Sequence, residues 1–182
     1  MARVVAALLV TLALASCTSQ RDLSQESPGN INLTLGSLSS WQLRGKIGVR
    51  SDHGNANLSF VWDQSPDSYN ISLTGTLGVM IAQLNGDADE VMLTLPDGNE
   101  YRSTRIDDLL EIQLGYQLPV SLLQYWVRGV PDPRFEHETT VDGFYQQGWR
   151  VEFLQFSPKG PRKIRVQQAD VKLRLVALEW VY

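Results

Sequence analysis

Side chains suited to catalysis are few in this chain, and they lie far apart in its sequence. Of its two histidines, His53 and His137, neither has a partner at a metal-ligand spacing such as His-x-x-x-His. Asp107 and Asp108 are adjacent carboxylates, but acidic residues are typical of a helix's first turn. A second acidic cluster, at 87–90, coincides with a turn sequence. We therefore expect structural roles for these side chains, no enzyme activity, no metal and no cofactor.

Composition narrows the classes of function further. The 182 residues suffice for one domain, and a net charge of −4 with a pI of about 5.1 argues against general binding to nucleic acid. A single cysteine excludes an internal disulfide and a zinc site built from thiolates. The composition therefore favours binding over catalysis.

The one cysteine, Cys17, lies where a thiol can be acylated. A basic start precedes a run of apolar and small residues, Val4 to Ala15, interrupted only by Thr11. The run is shorter than the roughly 18 residues of a membrane-spanning helix, and it is typical of a secretory signal peptide. Leu14-Ala15-Ser16-Cys17 resembles a lipobox, which predicts a signal peptide at 1–16 and a lipidated Cys17. The alternative is a secreted protein with a free thiol near its N-terminus.

The residues after Cys17 have the composition of a tether. Residues 17–40 are rich in Ser, Gln and Asn, with few large apolar side chains. We interpret them as the lipidated N-terminus and a tether that holds a domain, residues 41–182, away from a membrane surface. Leu33, Leu35 and Leu38 suggest that the end of the tether docks on that domain.

From Trp41 onward, apolar residues recur with a period of two, which predicts half-buried strands. The expected strands cover residues 41–49, 58–63, 69–73, 79–84, 91–95, 149–153, 163–167 and 171–180. Turn sequences follow the earlier strands at 52–55, 65–67, 85–87 and 96–99. Short connections of this kind predict antiparallel neighbours in one curved sheet.

Two short helices interrupt the strands, at 106–111 and 120–128, and Gly115 lies past the end of the first. Two such helices cannot fully cover so many strands, so one interpretation is a partly filled apolar concavity that holds a long apolar ligand. The other is a small barrel filled by its own side chains. The periodicity alone does not separate them.

Two surface features are also candidates for binding. Leu77 lies between Gly75 and Gly78, so a sharp turn can present it to the acyl boundary of a membrane. Considered alone, these residues favour a leucine that folds back into the core. Arg165 and Arg174 alternate with apolar residues, which predicts a basic face for an acidic partner or anionic lipid, or else a solvated outer face.

Taken together, these motifs resemble the LolB family of outer-membrane lipoproteins. Thr76 is a departure, because the family commonly has proline before the Leu-Gly pair. The marks, in order, are the lipobox at Cys17, Trp41-x-x-Arg44-Gly45-Lys46-Ile47, Tyr69-x-Ile71-x-Leu73, Leu77-Gly78, Gly115, Leu118-Pro119, Trp126-x-x-Gly129-x-Pro131, Gln147-Gly148-Trp149 and Trp180.

The resemblance implies a mainly β fold: a single unclosed antiparallel β-barrel with a short-helix lid over an apolar concavity. It implies a protein that is lipid-anchored in the outer membrane and faces the periplasm. Such a protein accepts lipoproteins from a LolA-like periplasmic carrier and inserts them into that membrane. The family's exposed loop leucine corresponds to Leu77, and no catalysis or cofactor is implied.

The aligned strand faces and the helices provide candidates for an acyl-chain cavity. Its partners would be the lipidated N-termini of cargo lipoproteins, the carrier and outer-membrane phospholipid, with the protein itself a monomer. A structural or assembly lipoprotein with a filled barrel is the main alternative, and a lipid-modifying enzyme is another. The candidate cavity residues are Leu43, Ile47, Val49, Leu58, Phe60, Trp62, Ile71, Leu73, Leu123 and Trp126.

Overall fold

Eleven strands form one antiparallel sheet in the computed structural model, which describes residues 35–114 and 117–182. The predicted signal peptide, Cys17, Leu33 and Gly115 lie outside the described residues. The strands are β1 (Trp41–Ser51), β2 (Gly54–Gln64), β3 (Ser68–Thr74), β4 (Met80–Asp87), β5 (Val91–Thr94), β6 (Glu100–Ser103), β7 (His137–Thr139), β8 (Gly143–Gln146), β9 (Trp149–Ser157), β10 (Gly160–Gln168) and β11 (Val171–Val181).

The strand order leaves the sheet open. It runs β6-β5-β4-β3-β2-β1-β11-β10-β9-β8-β7, so β6 and β7 are edges that do not pair with each other. The chain between these edges contains two short helices, α1 (Ile106–Leu114) and α2 (Val120–Trp126). Strands and helices share one apolar core. The expected mainly β, unclosed antiparallel barrel with two short helices is therefore confirmed.

The period of two in the sequence matches the burial along each strand. In β1, Trp41, Leu43 and Val49 are buried, whereas Arg44 and Lys46 are exposed on the opposite, convex face. Since successive side chains of a strand point to opposite faces, one pleat separates an apolar concave face from a polar convex face.

One predicted turn is wrong. Residues 85–87 continue β4 and stay paired with β3, so that Gly86 lies opposite Tyr69. A side chain at Gly86 would collide with the Tyr69 ring, because its Cβ would lie 2.3 Å from Cζ. Gly86 is therefore a packing residue inside the strand, and the chain turns only after Asp87.

The periodicity also failed to predict β6, β7 and β8. β6 and β8 have four residues each. β7 has three residues, and all three of them are exposed. Strands this short contain too few buried positions to show an alternation. The helices were predicted at nearly the correct places, but α1 extends to Leu114 and α2 ends at Trp126.

The chain before Trp41 docks on the domain as expected, so the folded part begins earlier than residue 41. Leu35 is buried, and Leu38 packs against the core. Arg128, which follows α2, donates hydrogen bonds from Nη1 to the carbonyl oxygens of Gly36 and Leu38, both at 3.0 Å.

Candidate functional site: an apolar cavity and an exposed leucine turn

An apolar cavity of about 280 Å³ lies between the concave face of the sheet and the two helices. Its wall combines aliphatic and aromatic side chains from β1 to β5 and β11 with residues of α1, α2 and the segment between them. Among the described residues that line it, Gln113 is the one with a polar aliphatic side chain. An interior of this kind suits hydrocarbon better than a polar ligand.

Most of the candidate cavity residues lie on this wall. The structure places there Ile47, Val49, Leu58, Phe60, Trp62, Ile71, Leu73 and Leu123. Strand register explains the agreement, because Ile47 pairs with Leu58 and Trp62 with Ile71, so their side chains share the concave face.

The structure does not place Leu43 and Trp126 on the cavity wall. Leu43 is 1% exposed and is paired with Trp62 and Trp180, at the end of the sheet where three tryptophans fill the interior. Trp41 contacts the other two rings, with centroids 5.3 Å from Trp62 and 5.4 Å from Trp180.

Trp126 lies one turn after the cavity residue Leu123 on the buried face of α2, beyond the cavity and within a packed cluster. Its ring packs against Phe144 and Trp149, and its indole Nε1–H donates to Oε1 of Gln146 at 2.9 Å. The Gln146 side chain also holds the backbone of Asp132 through two further hydrogen bonds. Trp126 thus anchors α2 to the sheet.

Other wall residues were not among the candidates. They are Ala56, Ile81, Ala82, Leu84, Leu93, Leu95, Leu110, Gln113, Leu118, Val120 and Leu175. Apolar residues at every second position, such as Ala82 and Leu84 or Leu93 and Leu95, predict the two strands. They do not show which part of the concave face is hollow. That depends on where α1 and α2 pack.

The turn between β3 and β4 presents Leu77 to solvent, contrary to the interpretation that the local residues alone favoured. We name residues 75–79 the Leu77 turn. Leu77 is 98% exposed and has a φ of 68°, a left-handed conformation that leucine rarely adopts. Gly78 follows with a φ of 76°, and the Gly75 N–H donates to the Val79 carbonyl at 2.8 Å. The backbone therefore directs Leu77 outward.

The Leu77 turn lies at the rim of the cavity. Ile81 lines the cavity and is nevertheless 41% exposed, which places it at an opening. Its side chain packs over Gly75, where an added Cβ would lie 3.1 Å from Cδ1 of Ile81. Gly75 has an extended backbone, so its role is this close contact. Val79 and Met80 are also exposed, and they continue the apolar surface from Leu77 to Ile81.

A polar cluster joins the two helices at the other end of the cavity. Asp107, in the first turn of α1, accepts hydrogen bonds from the backbone N–H and the hydroxyl of Ser121 in α2. Burial raises the pKa of the Asp107 carboxyl, although the bonds from Ser121 oppose the shift. Nearby, burial raises the pKa of Tyr69 to about 12, with Asp107 and Asp87 contributing. This cluster borders a second cavity of about 470 Å³, which is lined by both polar and apolar side chains and shares Trp62 and Val120 with the first.

The remaining sequence candidates occupy surface positions. His53 is exposed between β1 and β2, and His137 is exposed on β7 with its ring against Phe144. Asp87 accepts bonds from the backbone N–H groups of Asp89 and Glu90, as a turn residue does. Within residues 35–114 and 117–182, no cluster of His, Cys, Asp or Glu side chains is arranged to hold a metal, and no helix is long and apolar enough to cross a membrane.

Comparison with known proteins gives consistent matches. The family model described as outer membrane lipoprotein LolB matches residues 39–180. The outer-membrane lipoprotein LolB of Pseudomonas fluorescens is 37% identical, with 81% of this chain and 77% of that protein covered. The protein of the same name from Stutzerimonas stutzeri is 33% identical, with 94% of this chain and 91% of that protein covered.

Solved structures show the same fold at low sequence identity. A LolA superfamily protein from Nitrosomonas europaea aligns with a TM-score of 0.52 at 9% identity, covering 85% of this chain and 92% of that one. A DUF1329 family protein from Desulfovibrio piger aligns with a TM-score of 0.54 at 8% identity, covering 85% and 91%. At these identities the likeness concerns the fold alone.

Proposed function

This chain belongs to the LolB family of outer-membrane lipoproteins, and we propose that it accepts lipoproteins from a LolA-like carrier and inserts them into the outer membrane. Its coarse role, lipoprotein localisation at the outer membrane, follows from the family. The proposal adds the steps. The cargo's acyl chains enter the apolar cavity, and the Leu77 turn delivers them to the bilayer.

The observation that carries this proposal is the cavity with an exposed apolar rim. Moving each methylene of an acyl chain from an apolar environment into water costs about 0.8 kcal/mol of free energy. The total cost prevents free diffusion of a multiply acylated cargo through water. A cavity whose wall is mostly apolar can shelter such chains. Its opening beside Ile81 and the Leu77 turn gives them a short apolar path outward.

The cavity is small for its proposed cargo. Its 280 Å³ lies just below the roughly 300–1,000 Å³ of typical ligand pockets. The sheet side of the wall is fixed by ladder hydrogen bonds, whereas α1 and α2 close it by side-chain packing. Binding of several acyl chains therefore requires α1 to move outward from the sheet, because Trp126 holds α2 in place.

In this proposal Leu77 acts at release. A non-glycine residue held in the left-handed region costs about 1–3 kcal/mol, so folding alone does not favour this arrangement. An exposed leucine at the tip of a turn is stabilised only when it enters an apolar phase, such as the acyl boundary of a membrane. Transfer from cavity to bilayer then needs no nucleotide, because the bilayer is the most favourable environment for the chains.

The predicted anchor and the Leu77 turn can reach the same membrane. Leu35 packs beside Gly160, at the end of the sheet opposite the Leu77 turn, so the chain must return along β1, whose eleven residues span about 36 Å. Cys17 and Leu35 are separated by 35 − 17 = 18 residues, which can extend to roughly 60 Å. A lipidated Cys17 therefore leaves the turn free to touch the bilayer.

The test separates acyl binding from release. Leu77→Glu should leave binding of a fluorescent fatty acid unchanged and reduce delivery of a labelled lipoprotein into vesicles by about tenfold or more. The matched control is Leu178→Glu, because Leu178 is also exposed, at 60%, but lies near the opposite end of the sheet. The release step is wrong if delivery by Leu77→Glu equals that by Leu178→Glu.

The assembly lipoprotein is the second candidate, and it requires a filled barrel. The apolar cavity argues against it. If the purified protein binds no fatty acid and takes no cargo from a loaded carrier, the transfer proposal fails and the assembly role is favoured. We further propose that the protein acts as a monomer, which sedimentation of the detergent-solubilised protein would test.

A further inference from the structure

A basic groove of about 380 Å³ crosses the convex face of the sheet, on the side away from the apolar cavity. We name it the convex groove. Its cations come from three adjacent strands: Arg50 of β1, Arg165 of β10, and Lys172 and Arg174 of β11. Hydrogen-bonding amides complete the wall, and none of its lining residues in the described part of the chain carries a carboxylate. Those amides belong to Asn55, Asn57 and Gln167.

The groove has a defined floor. Gly48 lies between Asn57 and Arg174 in the strand register, and its missing side chain leaves the space that the longer side chains surround. A Cβ there would lie 3.2 Å from Oδ1 of Asn57. The cations therefore converge around an opening, and each can direct its donors toward one bound group.

Most of the positive charge in the groove is unneutralised. Arg165 is paired with Glu152, with Nη1 and Oε2 3.3 Å apart. Arg50, Lys172 and Arg174 are exposed, and none of the three forms an ion pair within the part of the chain that the structure describes. Three unpaired cations close together repel one another, so an anion in the groove would relieve that repulsion.

The groove and the Leu77 turn lie at the same end of the sheet. Arg50 pairs with Lys172 in the last rows of β1 and β11 before their hairpins, and β3 reaches the Leu77 turn at this end. β3 and β11 are separated by two strands, so the axes of these two strands are about 14 Å apart. One flat surface can contact both.

We propose that the convex groove binds the phosphate groups of anionic phospholipids in the membrane that the Leu77 turn enters. The inference rests on the proposed function, because it takes the Leu77 turn as the bilayer-facing end. Guanidinium forks and amide N–H groups all donate, and phosphate oxygens accept several such bonds at once. An apolar tip beside a cationic band matches the acyl and headgroup layers of a bilayer.

An acidic carrier protein would also meet the positive charge. The observation that favours lipid is position: the groove is on the convex face, whereas a carrier must present its cargo to the cavity mouth on the concave side. Besides Glu152, which pairs with Arg165, two carboxylates lie near the groove, Asp52 and Asp170 at the tips of the two hairpins. Asp170 is engaged by the Asp52 backbone N–H at 3.3 Å. They limit the net charge but do not line the groove.

The test uses the mature lipidated protein in vesicles. Because Cys17 is the only natural cysteine, Ala169→Cys at the tip of the β10–β11 hairpin accepts a single fluorophore. The vesicles contain phosphatidylethanolamine and phosphatidylglycerol, together with a lipid that carries a quencher on its headgroup. We expect quenching of the fluorophore, and we expect its loss in 0.5 M NaCl or without phosphatidylglycerol.

Charge removal identifies the groove. In the labelled protein, Lys172→Gln with Arg174→Gln should weaken the docking equilibrium by about 25-fold at low salt, from roughly fivefold per cation. Lys159→Gln with Arg162→Gln removes the same charge at the opposite end of the sheet and should leave quenching unchanged. Gly48→Val keeps every cation but fills the floor, and it should weaken docking by about threefold or more.

Several results would overturn the inference. One is equal quenching in the two double variants, the one in the groove and the one at the opposite end of the sheet. Another is quenching that is the same with and without phosphatidylglycerol. A Gly48→Val protein that docks normally would indicate diffuse charge rather than a groove. Quenching that appears only when an acidic carrier is added would assign the surface to a protein.

Lipoprotein delivery is measured on the same vesicles. Normal delivery without docking rejects this inference alone, and docking without delivery rejects the proposed function alone.

Discussion

One continuous sheet has a filled half and a hollow half. In the filled half, β8 to β11 and α2 enclose aromatic and branched side chains, and Trp126, Val151 and Val166 are each 0% exposed. In the hollow half, β2 to β5 face the helices across the apolar cavity, and wall residues such as Leu58 and Leu73 are only partly buried. Both halves have the same alternating sequence pattern, so the pattern does not cause the difference.

The difference arises from what covers each half. Trp126 and the Gln146 network attach α2 to β8 and β9, so the filled half has a fixed cover. Over the hollow half, α1 and α2 meet through Asp107 and Ser121 at one end, and the other end opens beside the Leu77 turn. A rigid half thus supports a half whose volume can change, which suits a protein that receives and releases apolar chains.

The largest expected effect comes from truncating the anchor of the filled half. Trp126→Ala should lower the free energy of unfolding by about 3–5 kcal/mol, because it leaves a cavity and removes the indole bond to Gln146. Leu58→Ala should cost less, since Leu58 already borders empty space. Urea denaturation of both variants measures the difference. If both variants lose the same free energy of unfolding, packing does not stabilise the filled half more than the hollow half.

A matched enlargement sharpens the same comparison. Val166→Phe adds volume where nothing is empty and should cost about 1–3 kcal/mol. Leu58→Phe adds volume at the cavity wall and should cost less than about 1.5 kcal/mol while weakening fatty-acid binding several-fold. Thermal unfolding and a fluorescent fatty-acid titration provide the two measurements. Unchanged fatty-acid binding by Leu58→Phe would remove Leu58 from the acyl site.

The smallest expected effect concerns the link between the helices. Asp107→Ala removes the acceptor for Ser121 and should cost about 1 kcal/mol at neutral pH, as the loss of a capping side chain does. Because burial raises the pKa of Asp107, protonation of its carboxyl adds to this stabilisation, and the added part is fully present below the ordinary pKa of 3.8 and is lost as the pH rises through the raised pKa.

The difference in melting temperature between Asp107→Ala and the unsubstituted protein should therefore grow as the pH falls towards 4. A difference that shrinks on acidification would mean that the folded protein favours the ionised carboxylate, contrary to the effect of its burial.

Sequence periodicity was sufficient for the long strands, because an eleven-residue strand such as β1 alternates over many positions. It was insufficient for β6 to β8, which are too short to show a period. Eight cavity residues were predictable because register places Ile47 and Leu58 on one face. Trp126 shares the buried face of α2 with Leu123, one turn earlier, and only its packing against Phe144 and Trp149 shows that this end of the helix lies beyond the cavity.

Leu77 shows the limit of local reasoning. The two flanking glycines permit both an outward and an inward leucine, and the resemblance to a family was needed to favour the exposed one. The decisive features are the left-handed backbone of Leu77 and the contact between Gly75 and Ile81. Both depend on how β3 and β4 pair, which no single stretch of sequence determines. The convex groove likewise exists only because β1, β10 and β11 are neighbours.

The most direct test follows a labelled cargo. A LolA-like carrier from the same organism is loaded with a radiolabelled triacylated lipoprotein and mixed with vesicles that contain the mature, lipidated form of this protein, without nucleotide. The account predicts that the label sediments with these vesicles and stays in solution with vesicles that lack the protein. Label that remains on a carrier shown to be competent with another acceptor would contradict it.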